Sequence, residues 1–169
     1  MSFPRRWCLF LLGAGVVLGA GCGRKEVTSL QRKQAASFVS EAEFALNLRD
    51  YARAEPLLAQ AVAVCPDTPE YWLNLGSVRR RLGNLKGAKT AYEGMLDLVR
   101  DNYRRDGKDA GPLLQQVYVL ALLGRMDDAR ATLEKAQKNH PDDRNVRVFV
   151  DERRLEHLAE DPAFKEIAL

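Results

Sequence analysis

Few residues in this 169-residue chain have the type and spacing needed for covalent or metal chemistry. Its two histidines are His140, before Pro141, and His157, in a charged stretch, and neither has a second His or Cys at metal-ligand spacing. No metal or cofactor is therefore expected. Of three cysteines, Cys8 and Cys22 fall in the first 22 residues, which leaves Cys65 alone before Pro66. With no partner for a disulfide and no catalytic His close in sequence, it reads as a small apolar residue at a helix end. There is no glycine-rich phosphate loop and no G-x-S-x-G. The acid pairs Asp127-Asp128 and Asp142-Asp143 fall at expected helix starts, where they complement the helix dipole. The chain is not expected to be an enzyme. What remains is the run Arg79-Arg80-Arg81, whose guanidinium forks suit carboxylates or phosphorylated groups. The alternative is a solvated face paired with neighbouring acids. A second basic cluster, Arg100, Arg104, Arg105 and Lys108, is interleaved with Asp101, Asp106 and Asp109 and reads as a solvated helix end.

Composition sets the outer bounds. With 46% hydrophobic and 29% charged residues, the chain can build a core, which excludes a disordered tail, a polytopic membrane protein and a disulfide-stapled miniprotein. The formal charge of +3 falls to about +1 without Arg5 and Arg6. Binding to nucleic acid depends on neutralising many phosphates, so no nucleic-acid partner is expected.

Residues 1–21 read as a signal segment: basic Arg5-Arg6, an apolar run from Trp7 to Leu18, then a small-residue exit. A 12-residue run covers about 18 Å as a helix, short of the roughly 30 Å hydrocarbon core. It is a poor permanent span, although the stretch to Cys22 leaves room for an uncleaved anchor. Leu18-Gly19-Ala20-Gly21-Cys22 resembles the lipobox of bacterial lipoproteins, with Gly19 where Leu is usual. That resemblance implies lipidation at Cys22, a tether over 22–29 and a chain facing the periplasm in the cell envelope. Gly23 in place of Asp favours the outer over the inner membrane. The alternative is ordinary secretory cleavage near Ala20.

The body repeats. Trp72, Leu75 and Gly76 are followed by Gly83, Ala88 and Tyr92; Leu113 is followed by Gly124, Ala129, Leu133, Ala136 and Pro141; Phe38 and Ala42 are followed by Ala54, Leu58, Ala61 and Pro66. This pattern resembles the tetratricopeptide repeat, a 34-residue helix-turn-helix unit. Departures include Glu41 and Arg49 in place of Leu and Gly in the first unit, Arg79 and Arg100 in the second, and Gln116-Val117 in place of Leu-Gly in the third. Units are placed at 35–68, 69–109 and 110–143, the second lengthened by about seven residues near Tyr103 to Asp109. Small residues such as Ala42, Gly76, Ala54, Ala88 and Ala129 allow antiparallel helices to approach closely. Gly83 and Gly124 supply positive φ at turns, and Pro66 and Pro141 close helices.

The expected fold is all-α: an α-solenoid of about three units within 30–143, then a capping helix and tail over 144–169. Helices are placed at 30–48, 51–64, 69–82, 85–103, 110–123, 126–139 and 143–160. Asp161-Pro162 begins a last turn from which Phe164 and Ile167 pack back.

By the family resemblance the first helix of each unit lines a concave face that holds partner peptides. It places Val39, Glu43 and Asn47, then Leu73, Ser77, Arg80 and Arg81, then Leu114, Tyr118 and Leu122 on that face, with Arg79 near the inter-helix contact. The resemblance implies a scaffold or adaptor of the bacterial cell envelope that binds a segment of a protein partner. The alternatives are a self-assembling structural protein and an accessory subunit of an envelope enzyme.

Overall fold

A computed structural model describes residues 26–169. The signal segment and residues 22–25 of the tether, Cys22 included, lie outside the described residues. Helices account for the regular structure, in the order α1 (Ser29–Asn47), α2 (Tyr51–Val64), α3 (Pro69–Arg81), α4 (Leu85–Arg105), α5 (Gly111–Leu122), α6 (Met126–Asn139), α7 (Arg144–Asp151), α8 (Arg154–Glu160) and α9 (Pro162–Lys165). Among the described residues there is no strand.

Local chemistry sets the boundaries. Thr28 and Gln31 close a reciprocal capping box on α1. Asp50, Asn84, Asp143 and Asp161 accept backbone N–H groups at the starts of α2, α4, α7 and α9. Pro69 opens α3 at a position where its missing N–H costs nothing. The turns α1–α2, α3–α4 and α5–α6 share one geometry. A left-handed residue donates back three positions and its successor donates back five, as in Gly83 to Arg80 and Asn84 to Arg79. Gly83 (φ 76°) and Gly124 (φ 70°) take that conformation freely, whereas the first turn imposes φ 57° on Arg49.

The helices stack as α1·α2, α3·α4 and α5·α6 hairpins, linked through α2·α3 and α4·α5. Buried Ala35, Ala42, Ala54, Ala61, Ala88, Ala91, Ala129 and Ala136 thin the helix contacts. The tightest crossing is α3 on α4. A Cβ on Gly76 would land inside the Tyr92 ring, and one on Gly94 would come within 2.7 Å of Trp72. Trp72 is fixed by its Nε1 donating to Pro66 O at 2.9 Å.

Two expectations are corrected. The added residues after the second hairpin partly extend α4 to Arg105 rather than ending it at 103. They are pinned through Tyr103, whose hydroxyl lies 3.2 Å from His140 Nε2 and accepts from Asn139 Nδ2 at 3.1 Å. His140 is thus a packing partner at the end of α6. The single capping helix over 143–160 is instead two helices: α7 packs on α6 as the next first helix of the stack, the chain breaks at Arg153 with φ 48°, and α8 turns back onto α5. The break is favoured because it buries Leu155 and Phe164 in the α3–α5 core, which a straight helix would carry away from it.

Candidate peptide-binding groove

The concave face is built by the first helices of the hairpins, chiefly α3 and α5. Leu73 from α3 and Leu114 and Tyr118 from α5, with Glu70, Met95 and Gln115, line an open cleft of about 260 Å³. Gln115 also borders a cleft of about 480 Å³ beside Arg105 and Asp109. Tyr118 likewise borders one of about 370 Å³ with Phe149, Arg154, His157, Leu158 and Asp161. The three together make a run of concave surface along α5.

Beyond Tyr118 the same face is filled by the chain itself. Phe164 is buried and meets the Tyr118 ring edge-on, with centroids 5.7 Å apart. The backbone of the next residues is held from outside the segment. Tyr92 Oη donates to Ile167 O at 2.7 Å, Arg80 Nε donates to Ala168 O at 2.6 Å, and Leu169 N donates to Leu122 O at 2.8 Å. Arg81 Nη2 lies 3.5 Å from Glu166 Oε2, and its guanidinium also stacks over Tyr51 at 5.4 Å. Burial pushes the Tyr92 phenol above its ordinary value, against a smaller lowering by Ser77. The hydroxyl is therefore a donor at neutral pH. Burial raises Tyr118 in the same way, reinforced by the Asp161 charge.

The ten face residues inferred from sequence divide into four groups. Arg80, Arg81, Tyr118 and Leu122 converge on the 164–169 segment, Leu122 through its carbonyl since the side chain is fully buried. Leu73 and Leu114 line the open cleft. Ser77 donates to Leu73 O on its own helix, with its oxygen 3.5 Å from Tyr92 Oη. On α1, Val39 packs into the α1–α2–α3 cluster, while Glu43 and Asn47 stand exposed. Arg79 bonds Glu55 at 2.8 Å and Gly87 O at 3.4 Å, tying α3 to α2 and α4.

Sequence reasoning missed Tyr92 as a groove donor and Met95 and Gln115 as lining residues. Tyr92 and Met95 lie on a second helix, and family position assigns them to the core. The Phe164/Ile167 spacing was a readable signal for a docked turn, but not for where it docks.

A separate cluster joins α1 to the α2–α3 turn. Arg32 grips Asp67 with two bonds of 3.2 and 2.7 Å, and the Cys65 thiol donates to Asp67 Oδ1 at 3.1 Å. Burial pushes the Cys65 thiol up, so it stays protonated and weakly nucleophilic. Desolvation alone would raise Asp67, but bonds from Arg32 and Cys65 and the Arg32 charge hold its carboxyl below the usual value. Among the described residues no cluster of His, Cys, Asp or Glu has metal-site geometry, and no helix is long and apolar enough to cross a membrane.

Family comparison agrees with this architecture. Two tetratricopeptide repeat models match the chain, one over residues 40–103 and the other over 113–143. The chain belongs to the tetratricopeptide repeat family. No curated protein matches it.

Proposed function

We propose that this protein is a tethered adaptor of the bacterial cell envelope, anchored through Cys22, which holds a segment of a partner protein along its concave face. The tetratricopeptide repeats carry the coarser reading, a scaffold for protein–protein interaction. The observation that carries the finer one is the open apolar cleft between Leu73 and Leu114, which continues along α5 and has polar Glu70 and Gln115 at its rim. Such a groove accepts an extended or helical segment with alternating apolar anchors. The lipobox-like Leu18-Gly19-Ala20-Gly21-Cys22 supports the address, since lipid on Cys22 would tether the chain to a membrane without spanning it.

Two measurements in the native cell test this. Mass spectrometry of the N-terminus should find lipid-modified Cys22; an unmodified or soluble protein removes the envelope reading. A photo-crosslinking residue at position 73 or 114 should join one reproducible partner segment, and one at exposed Lys89 should not. Equal labelling at all three positions rules out the groove.

A second reading, self-association, is favoured by Leu30, Phe44 and Leu48. These residues are 73%, 58% and 63% exposed and fall within about 40° around the axis of α1, Leu48 just past its end, opposite the side that buries Ala35 and Ala42. A preceding repeat, or another copy, would stack there.

A further inference from the structure

We propose that the α3–α5 groove is a docking site which the chain's own residues 162–169 fill until a partner arrives. The partner it fits is a protein segment of the same chemistry: an aromatic residue, an acid two positions on, then an aliphatic residue. This rests on the reading that the concave face holds a partner segment, and it names that segment's chemistry and the competitor it must displace.

The contacts have the form of peptide recognition. Three successive residues, Ile167, Ala168 and Leu169, are held through their backbone groups, by Tyr92, Arg80 and the Leu122 carbonyl, and Ile167 and Ala168 also pack on the core. Backbone contacts give affinity to any segment of matching shape, and the side-chain positions then select. Selection here falls on three: Phe164, edge-on to Tyr118, Glu166, facing Arg81, and Ile167, packed against the core.

The segment is also built to leave. It joins α8 through an extended Asp161 (φ −63°, ψ 121°), has one turn of helix, and leaves Lys165 and Glu166 exposed. Release requires only this short unit to detach, a local opening rather than unfolding of the stack. A longer partner segment can outcompete it, because the groove continues past Tyr118 into the open cleft at Leu73 and Leu114, where 162–169 makes no use of the space. Tethering gives the internal segment a high effective concentration, so it lowers the apparent affinity for any competitor by the fraction of time it occupies the site.

The test uses the full chain and a fluorescein-labelled peptide of residues 161–169, Asp-Pro-Ala-Phe-Lys-Glu-Ile-Ala-Leu. Fluorescence anisotropy should show Phe164→Ala protein binding the peptide at least tenfold more tightly than the unaltered protein. Adding Tyr118→Ala to Phe164→Ala should abolish that gain. A folded Phe164→Ala protein that binds no peptide overturns the proposal. Should that variant fail to fold, hydrogen exchange on the unaltered chain decides. The Leu169 amide should exchange at least tenfold faster than the α5 amides; equal rates mean the segment opens only with the whole fold and overturn the proposal. A dimer that Phe164→Ala abolishes would make the occupant a second copy and also overturn it. A partner crosslinked at position 73 or 114 while Leu169 exchanges only globally sinks this inference and leaves the groove reading standing.

Discussion

Arg80 Nε donates to the Ala168 carbonyl over 2.6 Å, joining residues 88 positions apart and closing the concave face with the chain's own backbone. Neighbouring Arg81 reaches Glu166 only at 3.5 Å, with the carboxylate largely in solvent. The two arginines, one run in sequence, therefore have different weights.

Arg80→Ala should cost about 1.5 to 3 kcal/mol, the range for a bond to a charged donor. Arg81→Ala should cost under about 1 kcal/mol, as exposed pairs do. Chemical denaturation of both variants checks this. A position-by-position reading of the repeat predicts that charge reversal at both sites leaves stability nearly intact. The Ala168 bond changes that expectation, because Arg80→Glu would place a carboxylate against a carbonyl oxygen. Equal losses at the two positions would contradict the observed bond.

The α3–α4 crossing gives a second prediction. A Leu at Gly76 must displace the Tyr92 ring, which is fully buried and tied to Ile167, so Gly76→Leu should cost at least about 1 to 3 kcal/mol. Gly94→Leu should behave similarly through Trp72, itself held by Pro66. Each kcal/mol lowers Tm by about 2 to 4 °C in a domain of this size. An unchanged Tm in either variant would mean the helices do not cross at these glycines.

Hairpins, caps and the Gly76 contact were legible in sequence because each depends on residues a few positions apart or on a fixed repeat spacing. Asp143 and Asp161 announce their helices, and Gly83 its turn. The break at Arg153 was not legible, since no Gly or Pro marks it. Val148, Val150, Leu155 and Leu158 look like a single amphipathic run until the α5 surface that takes Leu155 is known. The same holds for the groove. Position in the repeat brought out Arg80 and Tyr118, but that their ligand is this chain's Ala168 and Phe164 depends on long-range burial, which no local pattern encodes. Gly94 escaped notice because, unlike Gly76, it does not stand at one of the repeat's small-residue positions, although its partner Trp72 faces it across the same crossing.

The first turn offers a stabilising change. Arg49 adopts φ 57° where the other two hairpins use glycine, a conformation costing a side chain about 1 to 2 kcal/mol. Arg49→Gly should therefore raise stability by about 1 kcal/mol, less whatever the freer unfolded chain regains. Gly83→Ala should lower it by a similar amount, because a Cβ there meets open space and backbone strain is the only loss. Thermal melts of the two variants should shift in opposite directions; a loss on Arg49→Gly would mean that the arginine side chain stabilises the turn.

The Arg32–Asp67–Cys65 cluster predicts an acid-side response. Asp67 is held below its unfolded value of about 3.9 by Arg32 and Cys65 despite desolvation. Its contribution is therefore fully present above that value and is lost as pH falls through the lower folded value. Asp67→Asn removes the titrating group while keeping a polar side chain of similar shape. Tm should fall less steeply between pH 5 and about pH 2 in the variant than in the unaltered protein, with the two curves separated at pH 7 and converging in acid. The Cys65 thiol should remain unreactive towards a mild alkylating reagent at pH 7, because burial favours its neutral form. Asp67→Asn leaves one uncharged amide oxygen where two carboxylate oxygens served Arg32 and the thiol, which weakens the 3.1 Å bond, so faster alkylation in that variant would report loosening of the α1 contact. Parallel acid melts with no convergence would place the Asp67 carboxylate in solvent, away from Arg32.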